Sequence, residues 1–270
     1  YNTAHVTTTP AFAKEGPMFR RLFPRILPLF ALIALTGALA ALAQVPDEFT
    51  NLQVFPRDVG KTELIGVMKE FNAALGVKCH HCHEMKTPGD FNSIDWASDA
   101  LPAKDEARGM MRMVGQLNND LVPRAMGKPV QRVKCITCHR GLADPRTLDL
   151  VLLETIGEGG AEAGVEHYKA LKDDYYGSGS YDFGSDTLID VATTLAQNRG
   201  DTAGAMKILE LNIADNPEDA RSYLMMSQIM ILTGDKDGAI ANAEKALELD
   251  PGNTAAARIL EQLGDGAGGQ

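Results

Sequence analysis

Cysteine is scarce in this chain: 270 residues contain four, at positions 79, 82, 135 and 138. None directly follows the apolar run near the N-terminus, which argues against a lipid-anchored start. Basic residues are outnumbered, with 26 Lys and Arg against 36 Asp and Glu and a net charge of −10. That balance argues against nucleic acid and anionic membrane surfaces as partners. Aromatic residues make up 6% of the chain, with a single tryptophan, Trp96. From Asp47 to about Asp149 there is no long strand-like alternation, so helices are expected there.

The long apolar run lies at residues 26–43 (ILPLFALIALTGALAALA), after a basic start at Met18-Phe19-Arg20-Arg21 and Arg25. It ends in Ala41-Leu42-Ala43, a small-x-small pattern before Gln44, and reads as a cleaved export signal with residues 1–17 as an upstream extension. An uncleaved membrane anchor is the competing reading. Eighteen residues barely span a bilayer, though, and Pro28 and Gly37 weaken the helix. Cleavage would leave 227 residues, enough for two modest domains.

All four cysteines fall in two copies of one pattern, Cys79-His80-His81-Cys82-His83 and Cys135-Ile136-Thr137-Cys138-His139. Cys-x-x-Cys-His is the attachment motif for c-type haem. Two thiols add across the vinyl groups, and the adjacent histidine lies under the iron. The expectation is two covalent haem c groups held by Cys79, Cys82, Cys135 and Cys138, with His83 and His139 as axial ligands. A zinc site built from two knuckles fits less well, because 52 residues separate Cys82 from Cys135, where compact ribbons use roughly 15–20. Disulfides suit an exported protein but leave both histidines unexplained. A thioredoxin-like pair needs a βαβ context that the flanking sequence lacks.

Each iron then needs a sixth ligand. Leu64, Met68, Phe71 and Leu75 share one helix face ahead of the first motif. Residues 104–121 read as a second helix, on which Met110, Met113 or Val114, Leu117 and Leu121 share a face. Thioether sulfur suits low-spin haem iron; the alternative is that these methionines simply fill core.

From about Gly200 a repeat takes over. Gly200-Asp201 recurs as Gly234-Asp235, Ala205 as Ala239, and Asn216-Pro217 as Asp250-Pro251, each after 34 residues. That is the tetratricopeptide period. Two repeats do not bury a continuous core alone, so helices at 161–175, 187–199 and 254–263 are expected to complete the stack. A Gly/Ser turn rich in tyrosine, Tyr175 to Tyr181, joins the two regions.

The runs Asn51-Leu52-Gln53-Val54, Leu64-Ile65-Gly66-Val67-Met68-Lys69-Glu70-Phe71 and Leu75-Gly76-Val77-Lys78-Cys79 resemble the haem module of the photosynthetic reaction-centre cytochrome c subunit. So do Ala107-Arg108-Gly109-Met110-Met111-Arg112-Met113 and Leu117-Asn118, leading to Cys135-Ile136-Thr137-Cys138-His139-Arg140-Gly141. The resemblance covers about residues 47–145. It implies a helix carrying the distal methionine ahead of each motif, pairing Met68 with His83 and Met110 with His139; Met113, one turn on, is the fallback. The chain departs from that family in having two motifs in place of four. It also has no histidine in residues 119–134, and helical repeats stand in place of a second haem-bearing half.

The remaining candidates are weaker. His80 and His81 are the variable positions of the first motif. His167 is either a further ligand or a packed helix residue, and Arg140 either pairs with a haem propionate or is a surface arginine. The expected architecture is an all-α chain: upstream extension and signal at 1–43, dihaem cytochrome c domain at 44–149, helical joining segment at 150–186 and tetratricopeptide domain at 187–270. The expected role is an exported, periplasmic electron carrier rather than an enzyme. It would exchange electrons with unidentified redox proteins and dock through its repeats, with membrane contact only if residues 26–43 remain attached. A dihaem peroxidase-like enzyme with one open haem is the alternative.

Overall fold

The computed structural model describes residues 45–128 and 131–264. The export-signal reading of residues 1–43 lies outside them. The fold is all-α, apart from an antiparallel pair of two-residue strands, β1 (Glu84–Met85) and β2 (Ile94–Asp95). Among the described residues, no helix is long and apolar enough to cross a membrane. The chain divides into two compact units. Of the described residues, one holds 45–61 together with His80–Met110, and the other holds Thr62–Cys79 and those from Met111 onward.

Helix α1 runs Lys61–Leu75 and α2 runs Pro102–Gln116. Pro102 is the first residue of α2, where its missing N–H costs nothing. The helix reading of 104–121 therefore begins two residues late, and it also ends early. After Gln116 the chain makes a π-helical turn, Leu117–Leu121, and continues as α3, Val122–Met126. The wide turn lies directly before Pro123, whose ring would otherwise collide with a carbonyl of the preceding turn. A short α4 (Cys135–His139) carries the second motif.

Helix α5 (Leu148–Tyr175) is interrupted at Gly160, with φ 80° and ψ 175°, a conformation essentially confined to glycine. The sequence reading of 161–175 captures the half beyond this break. Helices α6 (Ser185–Thr193, extended by a π-helical turn Thr194–Asn198), α7 (Thr202–Asp215), α8 (Ala220–Thr233), α9 (Lys236–Leu249) and α10 (Thr254–Gly264) follow. The 34-residue period has a local cause. Asp201 and Asp235 cap α7 and α9, accepting the backbone N–H of Gly204 at 2.8 Å and of Gly238 at 3.0 Å. Ala205 and Ala239, one residue further on, are fully buried where neighbouring helices pack. Pro217 and Pro251 follow the ends of α7 and α9.

The core of this unit gathers Leu148, Leu152 and Ile156 with Leu188, Leu195, Ile208, Leu209 and Met226. Each such large apolar side chain contributes about 1.5–3 kcal/mol on burial. Polar groups are buried beside them, Asn212, Ser222 and Ser227 among them. Asn212 is fully buried, and its amide donates to Ser222 Oγ at 2.8 Å and to the Ser185 carbonyl at 3.1 Å, while its oxygen accepts from Asn216 at 2.9 Å. This bonding ties α6, α7 and α8 together and leaves the amide satisfied. Tyr168, also buried, donates its hydroxyl to Asp215 at 2.9 Å, which Lys172 reaches at 2.8 Å.

Candidate functional site

The first unit contains Cys82, His83 and Met110, and the second contains Met68, Cys79, Met113, Cys135, Cys138 and His139. Among the described residues no disulfide joins these cysteines. Among the described residues, no group of three or more His, Cys, Asp or Glu is arranged to share a metal ion.

In the second motif one helical turn does the positioning. Lys134 is extended, its N–H donates to Thr137 Oγ1 at 3.0 Å, and the Thr137 N–H returns to the Lys134 carbonyl at 2.9 Å. The chain turns helical there, which puts Cys135 and Cys138 on one face at i and i+3. Arg140 ends the turn in the left-handed region (φ 47°), and the Leu142 carbonyl comes back to His139, 2.8 Å from Nδ1. A carbonyl can only accept, so Nδ1 carries the proton and the Nε2 lone pair is left for a ligand.

His83 is held in the same way. It is half-buried, tilted against the Trp96 ring at 5.1 Å, and its Nδ1 lies 3.2 Å from the Trp96 carbonyl. Burial, then the cations Lys104 and Arg108, push its pKa down, while the Trp96 carbonyl acts in the opposite sense. The ring is therefore neutral near pH 7, the form that binds metal.

A polar hub in the first unit supports this histidine. Lys104 donates to the Trp96 carbonyl at 2.9 Å and the Ser98 carbonyl at 2.7 Å. Asp99 receives Arg108 at 2.8 Å and Asn51 at 2.9 Å on Oδ1, and Gln53 at 3.3 Å on Oδ2. Arg108, with the other donors around it, holds the Asp99 carboxyl far below the usual carboxylate range. The polar residues of the run Asn51 to Val54 thus act as anchors for Asp99.

The second motif is fastened from several sides within its own unit. Asn118 brackets Val133, donating to its carbonyl at 2.9 Å and accepting its N–H at 2.7 Å. The Gly141 N–H donates to the Ala74 carbonyl at 2.8 Å. Gly76, at φ 67°, faces Gly141 so closely that a Cβ would overlap its oxygen. Ser180 donates to the Arg140 carbonyl at 2.6 Å. Burial, and then the Glu70 carboxylate, push the Cys135 thiol upward, so it stays protonated.

The helices ahead of the motifs carry partly exposed apolar faces. On α1 only Leu64 and Ala74 are buried; Met68, Phe71 and Leu75 are half-exposed. On α2 the usual order is reversed. Arg108 is 7% exposed, while Met110 and Met113 are 49% and 46% exposed. Apolar faces of this kind call for a covering surface. His80 and His81 are exposed, and His80 meets Phe91 edge-on at 6.4 Å. His167 donates Nδ1–H to Thr155 at 2.7 Å, and Thr155 passes its own proton to the Val151 carbonyl at 3.0 Å. It lies in the wall of a cavity of about 360 Å³ with Leu75, Leu142, Tyr175 and Tyr181. Sequence reasoning did not single out Lys104, Asp99, Asn118 or Ser180. Of the residues around the two motifs, Asn51, Gln53, Arg108 and Asn118 carried a signal, by lying inside the resembling runs.

No family model matches this chain. It is 32% identical over 97 residues to cytochrome c-554 of Chloroflexus aurantiacus, covering 33% of this chain and 22% of that protein. It is 28% identical over 119 residues to the photosynthetic reaction center cytochrome c subunit of Rubrivivax gelatinosus, covering 36% of this chain and 31% of the relative. The chain is similar to c-type cytochromes over about a third of its length. It spans less than a third of the length of either cytochrome. Among solved structures, the first tetratricopeptide domain of Spaghetti (RPAP3), bound to an HSP90 peptide, aligns with a TM-score of 0.32 at 19% identity, covering 45% of this chain and 94% of that one.

Proposed function

We propose that the chain is an exported dihaem c-type cytochrome that carries electrons between redox proteins and docks to one of them through its tetratricopeptide repeats. In this reading Cys79 and Cys82 hold one haem and Cys135 and Cys138 the other. His83 and His139 provide the proximal nitrogens. Met68 serves the first iron and Met110 the second, with Met113 as the alternative. When bound, each haem supplies a one-electron Fe(III)/Fe(II) couple. The protein orients the ligands, fixes their protonation and shields the site from water.

One observation carries the proposal. Both motif histidines are locked by a backbone carbonyl on Nδ1, at 3.2 Å in His83 and 2.8 Å in His139, which readies each Nε2 for iron. The cytochrome relatives and the uncovered methionine faces support it further. Expression in a host with a c-type maturation system, followed by intact mass and reduced-minus-oxidised spectra, is the test. Two covalent haems and two low-spin irons are expected. A colourless, zinc-loaded product would defeat the proposal, and a high-spin iron with peroxide turnover would replace the carrier by an enzyme.

A further inference from the structure

The two motif histidines share a design but differ in one detail. The Leu142 carbonyl accepts from His139 Nδ1 at 2.8 Å, and among the described residues no other side chain bonds to that oxygen. The Trp96 carbonyl, 3.2 Å from His83 Nδ1, also receives the Lys104 ammonium at 2.9 Å. The Lys104 side chain is 11% exposed, so its charge is poorly screened. Arg108, 7% exposed, adds a second cation beside the same histidine.

Two effects follow, and they act in the same direction. A carbonyl already bound to a cation is a weaker acceptor, so it draws less on the Nδ1–H of His83. That imidazole then has less imidazolate character and donates less charge to a metal on Nε2. Directly, a buried positive charge favours the less positive metal state. His139 has the shorter, unshared bond and hence the more electron-rich ring.

We infer that Lys104, acting through the Trp96 carbonyl, is a positioning residue that sets the first haem at a higher reduction potential than the second. This rests on the dihaem reading above. Electrons entering at either motif would come to rest on the first haem, making it the point of delivery. Asp99 moderates the effect, because its carboxylate lies 3.4 Å from Lys104 and 2.8 Å from Arg108.

The test is a spectroelectrochemical titration of the full holoprotein carrying Lys104→Gln, Lys104→Arg or Asp99→Asn. Lys104→Gln should lower the higher midpoint and leave the lower one unmoved. The expected shift is roughly tenfold in the Fe(II)/Fe(III) ratio at fixed potential, or about 59 mV for a one-electron couple. Lys104→Arg should restore most of it. Asp99→Asn should move the same midpoint upward, a reversal of sign that general loosening of the fold would not give. Equal shifts at both haems, or none at either, would overturn the inference while leaving the dihaem reading intact. A wild-type chain that takes up no covalent haem would overturn both.

Discussion

The hydroxyl of Ser180 donates to the carbonyl of Arg140 across 2.6 Å, although forty residues of chain lie between them. Ser180 is buried and Arg140 directly follows His139, so the tyrosine-rich turn fastens the end of the second motif. Ser180→Ala would leave that carbonyl without this donor and should cost about 1–2 kcal/mol. Urea denaturation of the holoprotein, followed at the haem band and by far-UV dichroism, measures it. An unchanged midpoint would show that the turn bears no load.

Gly76 and Gly141 make a sharper comparison. At Gly76 an added Cβ meets the Gly141 oxygen at φ 67°, whereas Gly89, at φ 85°, has nothing within 4 Å. Gly89→Ala should cost about 1–2 kcal/mol, the left-handed penalty alone. Gly76→Ala should cost clearly more and lower the yield of holoprotein. Equal destabilisation would mean the close approach is relaxed in solution.

Asn212 is the polar centre of the repeat unit. Asn212→Ala removes the partner of Ser222, Asn216 and the Ser185 carbonyl together, and about 2 kcal/mol should be lost. Thermal unfolding should register this loss while the haem spectra at room temperature stay the same.

Acid should act through Asp99. Its folded pKa is depressed, chiefly by Arg108, so between the folded and unfolded values the unfolded chain binds the extra proton. The contribution is fully present above the ordinary carboxylate value of about 3.9 and fades as pH falls below it. Asp99→Asn should therefore flatten the acid limb of stability below about pH 4 and change its shape little near pH 7. Equilibrium denaturation across that range reads the slope directly.

Replacing Met68 or Met110 by Ala should each abolish one of two far-red sulfur–iron bands in the oxidised spectrum. If Met110→Ala leaves both bands and Met113→Ala removes one, the second ligand lies one turn further along α2.

What could be read from the sequence was what is written in local spacing. The 34-residue period was visible because Asp201 and Asp235 cap helices within three residues, and Ala205 and Ala239 pack at the next position. The paired Cys-x-x-Cys-His pattern was visible because its chemistry fixes the interval. The partners of the two histidines were not, since the Trp96 and Leu142 carbonyls are backbone atoms that any residue supplies. Lys104 escaped notice, and the burial of Arg108 was not foreseen, because charged residues on a helix are ordinarily solvated; here the Lys104 side chain is 11% exposed and Arg108 is buried. The π-helical turn at 117–121 and the break at Gly160 leave no periodic trace, so helix ends were misplaced there.

Helix α2 turns the guanidinium of Arg108 inward and the sulfur atoms of Met110 and Met113 outward. On the proposed reading, a chain built this way is sticky until its haems are attached, and it would travel from translocation to maturation with that face uncovered. Self-association and proteolysis then compete with attachment. The amount of finished protein a cell obtains would then be set by how fast maturation wins that race, with the folding free energy of the polypeptide in a secondary role.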